Sequence, residues 1–214
     1  MPDLALERDC GGLVCGIDEV GRGPLAGPVV AAAVLLDLDH MPRALRRAID
    51  DSKALTAEAR EDCASALRGC AVIGIGAASV VEIDRINILR ASLKAMARAV
   101  RALGVLPDAA LVDGNVPPTL PCPVRTVIDG DAKSLSIAAA SIVAKVTRDR
   151  AMRHLARRYP GYGWETNVGY ATRAHYRALT ALGATIHHRR SFAPVRIALA
   201  GGTLEPELPF LDAE

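Results

Sequence analysis

Residues 13–17 (Leu-Val-Cys-Gly-Ile) make a short apolar run, and residues 28–36 a longer one rich in valine and alanine. Runs of this length, bounded by glycine and proline, predict two buried strands. Between them residues 21–27 read Gly-Arg-Gly-Pro-Leu-Ala-Gly, a turn of residues that tolerate unusual backbone angles. Residues 56–67 predict a helix with Thr56 as N-cap, although Ala59 stands where a capping box would place an acid. Residues 71–76 predict a third strand, bulged at its glycines. Leu89, Leu93, Met96, Val100 and Leu103 recur in steps of four and three. That is one stripe of a helix, capped by Asn87 and stopped by Gly104. Short strands are expected at 109–113 and 124–128, then a long helix over 134–158, apolar along Leu135, Ile142, Val146 and Leu155. A loop at 160–163 and a final helix at 171–182 complete the reading. Strands dominate early and helices late, so the expected class is α/β: a mixed sheet flanked by helices, with a small helical C-terminal lobe. The expected division is a core over 1–164, a lobe over 165–200, and a flexible tail over 201–214 that carries two prolines and four acids.

Composition narrows the class. Half of the 214 residues are hydrophobic but only 3% are aromatic, so alanine and branched side chains must build the core. Cys10, Cys15, Cys63, Cys70 and Cys122 are odd in number and show no CxxC spacing, which argues against a disulfide framework or a zinc site. No basic segment leads into an apolar stretch at the N-terminus, and the apolar run at 29–36 is too short to cross a bilayer. A soluble cytoplasmic protein, acting as a monomer, is the expectation. The net charge of +2 conceals an asymmetry: from Lys145 to Arg196 eleven basic residues face only Asp149 and Glu165, a local +9 that leaves −7 elsewhere. Such a segment suits a phosphate-facing surface, and equally a solvated helix face. His154, His175, His187 and His188 lie in this basic context and read as surface or phosphate-facing residues.

Carboxylates stand at strand ends. Asp18 and Glu19 follow the first strand, Asp113 ends the fourth, and Asp131 comes after the fifth, just before the long helix. Unpaired carboxylates are costly to bury, so acids here are not core residues. Brought together, they would repel one another unless a hard divalent cation intervened, and all-oxygen ligands suit Mg²⁺ or Mn²⁺. The same residues also serve as ordinary caps, Asp131 for the helix and Asp113 for a turn. In a regular strand Asp18 and Glu19 point to opposite faces, so both ligate only where the backbone is irregular or where one offers its carbonyl. The turn at Gly21-Arg22-Gly23 does not match the dinucleotide fingerprint. Its two glycines allow close backbone approach to a sugar, where main-chain groups could test for a 2′-hydroxyl; a tight hairpin turn is the plainer use.

The order of motifs decides between these uses. Residues 15–30, Cys-Gly-Ile-Asp-Glu-Val-Gly-Arg-Gly-Pro-Leu-Ala-Gly-Pro-Val-Val, resemble the opening signature of the ribonuclease HII family, the bacterial type 2 ribonucleases H. The likeness continues through Asp51-Ser-Lys53, residues 86–89, residues 112–115, residues 130–149, Gly169-Tyr170 and residues 187–192, and covers about 13–197. The resemblance implies a ribonuclease H-like fold and a two-metal site, Mg²⁺ or Mn²⁺, on Asp18, Glu19, Asp113 and Asp131. It further implies a ribonucleotide-sensing turn at Gly21, Arg22 and Gly23, a sugar-contacting Tyr170, and phosphate contacts by Lys53, Ser134 and Lys145. The implied substrates are RNA/DNA hybrids and duplex DNA with single ribonucleotides, cut on the 5′ side to leave 3′-hydroxyl and 5′-phosphate ends. The implied role is ribonucleotide removal from DNA. Two positions depart from the family pattern: Asp129 where many members carry lysine, and Val168 where many carry a basic residue. The rival readings are a type 3 ribonuclease H, which normally has an extra N-terminal domain, and a non-catalytic hybrid-binding protein, which would have lost acids.

Overall fold

The computed structural model describes residues 2–50 and 55–202. The elements run α1 (Ala5–Cys10), β1 (Val14–Val20), β2 (Val29–Leu36), α2 (Arg43–Asp50), α3 (Ala57–Leu67), β3 (Ala71–Ala78), α4 (Val80–Ile86) and α5 (Ile88–Ala102). After these come β4 (Ala109–Asp113), β5 (Val124–Val127), a 3₁₀ turn (Gly130–Ala132), α6 (Leu135–Arg158), α7 (Trp164–Asn167), α8 (Arg173–Leu182) and α9 (Ala193–Leu199). Each expected strand and helix is present. The helix expected to be last is followed by α9, which has a proline in its first turn. Helices α1, α2, α4 and the short α7 were not among the expectations. For α4 the signal exists: Ser79 and Glu82 form a capping box that closes both ways. Thr56 caps α3, its hydroxyl accepting from Ala59 N–H at 3.2 Å, and Asn87 accepts from Arg90 N–H at 3.1 Å.

The described chain forms two compact units, each assembled from separate stretches. The first takes Met1–Val20, Val30–Ala77 and Ser92–Thr147; the second takes Gly21–Val29, Ala78–Ala91 and Arg148 onward. A linear boundary at residue 164 therefore passes through the second unit, and the tail beyond residue 202 lies outside the described residues.

The first unit carries a five-stranded mixed sheet of order β3-β2-β1-β4-β5, in which β1 pairs antiparallel with β2 and parallel with β4. Small residues set how closely helices approach it. A Cβ on Gly16 would come within 2.1 Å of the Ser136 backbone at the start of α6. On β3, Cβ atoms at Gly74 and Gly76 would meet carbonyls of α5 at 2.0 and 2.1 Å. These glycines serve helix–sheet contact, since no alanine fits there. The core over β2 joins Ala32 and Val34 to Leu45, Ile49, Leu67, Ala139, Ile142 and Val143, all buried.

The second unit is held differently. Tyr162 stacks on Trp164 with ring centroids 5.1 Å apart, and Met152, Ala156 and Ala178 pack in the same cluster. His175 and His188 are buried here, contrary to their expected surface position. Trp164 Nε1–H donates to His175 Nε2 at 3.1 Å, and the two histidines meet through their Nε2 atoms, also at 3.1 Å. Thr185 N–H donates to His188 Nδ1 at 2.9 Å, while His175 Nδ1 meets the Tyr170 carbonyl at 2.8 Å. This set is satisfied with both imidazoles neutral. Burial above all, then the neighbouring His175 and His187, drives His188 down from 6.5 to about 3.

Candidate active site

Asp18 lies on β1 and Asp113 ends β4. The parallel ladder pairs Ile17 with Val112, so the two acids are the next residue on each of two neighbouring strands. Asp18 is buried, 8% exposed, and its Oδ1 accepts from Glu19 N–H at 2.7 Å. Burial first, then the nearby charges of Glu19 and Asp113, raise its carboxyl to about 8, against the opposing effect of a hydrogen bond with Ser141. Asp113 is also raised, by burial above all and further by Asp131 and Asp129, while Gly130 N–H donates to its Oδ1 at 2.7 Å. Gly130 has no room for a side chain: a Cβ would lie 2.7 Å from Ile137 Cδ1 and 3.1 Å from Asp113 Oδ1. The same 3₁₀ turn carries Asp131, partly exposed.

Pairing of β1 with β2 is regular through Val20 and Val30, which sends the Asp18 and Glu19 side chains to opposite faces. A cavity of about 330 Å³ is lined by Glu19, Asp131, Ser141, Lys145 and Arg60. Thus Asp18 couples to Asp113, Asp113 to Asp131, and Asp131 shares a cavity with Glu19 and Lys145. Among the described residues no three His, Cys, Asp or Glu side chains are gathered tightly enough to enclose a metal ion. The donor set nonetheless fits a hard divalent cation. It is all oxygen, two of its carboxyls are disfavoured as anions where they stand, and an open set suits an ion that keeps several waters.

Other sequence-derived positions divide. Lys145 is at the cavity. Ser134 is not available to a phosphate: it is fully buried at the start of α6, where its hydroxyl donates to Glu7 Oε1 at 2.6 Å and accepts from Ile137 N–H at 3.2 Å. Its hydrogen bonds are committed to capping the helix, which corrects the expected substrate contact. Lys53, with its Asp51-Ser52-Lys53 block, lies outside the described residues. Asp129 is exposed to solvent, and Val168 holds a left-handed backbone, φ +41°. Arg60 and Ser141 were missed. Arg60 lies nine positions beyond the start of the Asp51 block, and Ser141 sits inside the alanine-rich stretch of α6, where a lone serine carries no signal.

In the second unit Gly21 is buried and Arg22 and Gly23 are exposed. Gly21 has φ +92°, and a Cβ there would strike Arg148 Nε at 2.1 Å, so glycine is required twice over. At Gly23 the nearest atom to an added Cβ is Tyr170 Cε1, 3.6 Å away, so the turn and the half-exposed Tyr170 ring are neighbours. Arg148 and Arg189, counted above in the basic segment, are fully buried and so do not belong to any phosphate-facing surface. Burial pulls the Arg189 guanidinium down to about 9.

With that geometry in view, comparison with known proteins is direct. A curated relative, Ribonuclease HII of Paramagnetospirillum magneticum, is 63% identical over 195 residues, covering 91% of this chain and 97% of its own length. The crystal structure of ribonuclease H2 from Pyrococcus horikoshii superposes with TM-score 0.72 at 29% identity, covering 86% of this chain and 96% of that one. Bst ribonuclease HIII, solved in complex with Mn²⁺, superposes with TM-score 0.71 at 22% identity, covering 94% of this chain and 73% of that one, a likeness of fold. The sheet and its helices have the ribonuclease H-like fold. Residues 15–195 match the family described as Ribonuclease HII, and the chain belongs to that family, whose members are ribonuclease H endonucleases.

Proposed function

We propose that this endonuclease hydrolyses the RNA strand of RNA/DNA hybrids and cuts on the 5′ side of single ribonucleotides in duplex DNA, starting their removal. The observation that carries the reading is the pair of strand-end acids, Asp18 buried and Asp113 partly so, each raised by desolvation and by neighbouring carboxylates. A site built this way is completed by positive charge. Asp18, Glu19, Asp113 and Asp131 would hold two divalent ions, Mg²⁺ or Mn²⁺. When bound, such ions supply an activated water and neutralise charge on the phosphate. In the balanced reaction a water oxygen bonds to phosphorus as the bond to O3′ of the preceding nucleotide breaks. The products are a 3′-hydroxyl and a 5′-phosphate.

The protein's own groups position the strand. Lys145, at the cavity with Glu19 and Asp131, offers a point charge to a phosphate. Lys53 is proposed for the same task. Gly21, Arg22 and Gly23 present main-chain groups to the ribose 2′-hydroxyl, and the adjacent Tyr170 ring packs on the sugar. The exposed arginines of α6 and α8, among them Arg150, Arg153, Arg157, Arg173 and Arg177, support binding to duplex phosphates.

The test is cleavage of a labelled DNA duplex carrying one ribonucleotide, with Mg²⁺, Mn²⁺ or EDTA, beside Asp18→Asn. A metal-dependent cut 5′ to the ribonucleotide, reduced at least about 10²-fold in the variant, is expected. Cleavage of continuous hybrid alone would replace the reading by a type 3 specificity. Binding without cleavage of either substrate would remove the catalytic reading.

A further inference from the structure

The second unit encloses two guanidinium groups with no exposed surface, Arg148 on α6 and Arg189 between α8 and α9. Isolated buried cations are costly, so what surrounds them is informative. Both are directed at main-chain carbonyls. Arg189 donates from Nη2 to Gly21 O at 2.6 Å, from Nη1 to Arg22 O at 2.8 Å, and from Nε to Gly27 O at 3.0 Å. Arg148 donates from Nε to Pro28 O at 3.0 Å, from Nη2 to Ala26 O at 3.1 Å, and from Nη1 to Val168 O at 2.9 Å. Six carbonyls are thereby tied down, five of them in or beside the glycine turn.

The planarity of the peptide bond turns this into a statement about recognition. In a trans peptide the C=O of one residue and the N–H of the next point in opposite directions. Drawing the Gly21 and Arg22 carbonyls onto the buried Arg189 therefore turns the N–H groups of Arg22 and Gly23 away from it, toward the exposed side of the turn. Arg148 links the turn to the second element of the reading surface. It holds Val168, two residues before Tyr170, and its guanidinium carbon lies 6.0 Å from the Tyr170 ring centroid. Leu25 N–H donates to Gly169 O at 2.8 Å, a second tie between the turn and the tyrosine segment, and His175 Nδ1 on α8 holds the Tyr170 carbonyl at 2.8 Å.

The geometry points to Arg148 and Arg189 as positioning residues for ribose selection: together they fix the outward Arg22 and Gly23 N–H groups and the Tyr170 ring as one rigid surface. This rests on the proposed reading of the turn and Tyr170 as the ribose-sensing element. Lysine cannot replace either residue, because one ammonium nitrogen cannot reach three separated carbonyls with a planar fork.

The experiment compares cleavage of two duplexes that differ at one sugar, a ribonucleotide or an arabinonucleotide with its 2′-hydroxyl on the other face. Arg148→Lys and Arg189→Lys should lower the ratio of kcat/KM for ribo over arabino by roughly 10- to 100-fold, mainly in kcat. KM and the salt dependence of duplex binding should stay within about twofold, since phosphate contacts are untouched. Tyr170→Ala separates the two ideas. If it leaves the ratio unchanged, the sensing element itself is misassigned. If it collapses the ratio while both lysine variants preserve it, the positioning role is overturned. Should the lysine variants fail to fold, ¹⁵N relaxation of the wild-type protein decides: Arg22 and Gly23 should have order parameters near about 0.85, and values below about 0.6 in a protein that still discriminates would overturn the inference.

Discussion

The first unit contains no aromatic residue through Thr147, whereas six of the chain's seven aromatics (four Tyr, two Phe and one Trp in all) fall within residues 159–192. The two units solve the problem of holding acids or loops in place with different materials. In the first, glycine and alanine let helix backbones come so close to the sheet that position is fixed by sterics, and the acids inherit that precision from adjacent strands. In the second, rings, two neutral histidines and two buried arginines hold irregular segments by directed hydrogen bonds. Steric fixation tolerates loss of a polar group but not an added atom. Directed fixation fails above all on loss of a polar group, although at Gly21, packed on Arg148, it has no room for an added atom either.

Gly16→Ala probes that contrast most severely. The added Cβ would meet helix backbone at 2.1 Å, so a loss of about 3 kcal/mol or more in urea unfolding is expected. A loss under about 0.5 kcal/mol would show that the helix–sheet approach is soft and the steric account wrong.

Titration sharpens the comparison, because the two units answer pH with opposite sign. Asp18 is raised from 3.8 to about 8, so its contribution is fully favourable below 3.8 and is lost as pH rises through about 8. His188 is lowered from 6.5 to about 3, so its contribution is present above 6.5 and is lost as pH falls toward about 3. Each slope is at most about 1.4 kcal/mol per pH unit. Hydrogen exchange read unit by unit should show β1 and β4 amides opening more readily toward pH 8, and those around His175 and His188 opening toward pH 4. Asp18→Asn should flatten the first trend alone, and added Mg²⁺ or Mn²⁺ should offset it. Identical trends in both units would defeat the assignment.

The smallest effect concerns Val168, whose φ of +41° is unfavourable for a β-branched residue. Val168→Asn keeps the carbonyl that Arg148 holds and suits the left-handed conformation, so Tm should rise by the equivalent of about 1 kcal/mol. A fall would mean that contacts of the valine side chain outweigh the strain.

How much of this could be read from the chain follows the same division. The sheet was legible because its strands are apolar runs cut by glycine and proline, and because strand-end acids stand out against them. Short α1 and α2 lacked the length for a period to appear, and α4 was announced only by its capping box. The interior of the second unit was misread for one physical reason: arginine and histidine are usually exposed, and nothing in their order says that Arg148, Arg189, His175 and His188 find carbonyls, a ring nitrogen or each other inside. Ser134 was misread likewise, its hydroxyl being used by Glu7 from the far end of the sequence.

The segregation of aromatic rings also determines what light can see. Trp164 and all four tyrosines belong to the second unit, so near-ultraviolet absorbance, near-ultraviolet dichroism and intrinsic emission report on that unit's surroundings. Events at Asp18 and Asp113 have no chromophore of their own unit to report them. A tryptophan introduced at an exposed position of the first unit, such as Val72 on β3, would give the acidic site a spectroscopic voice.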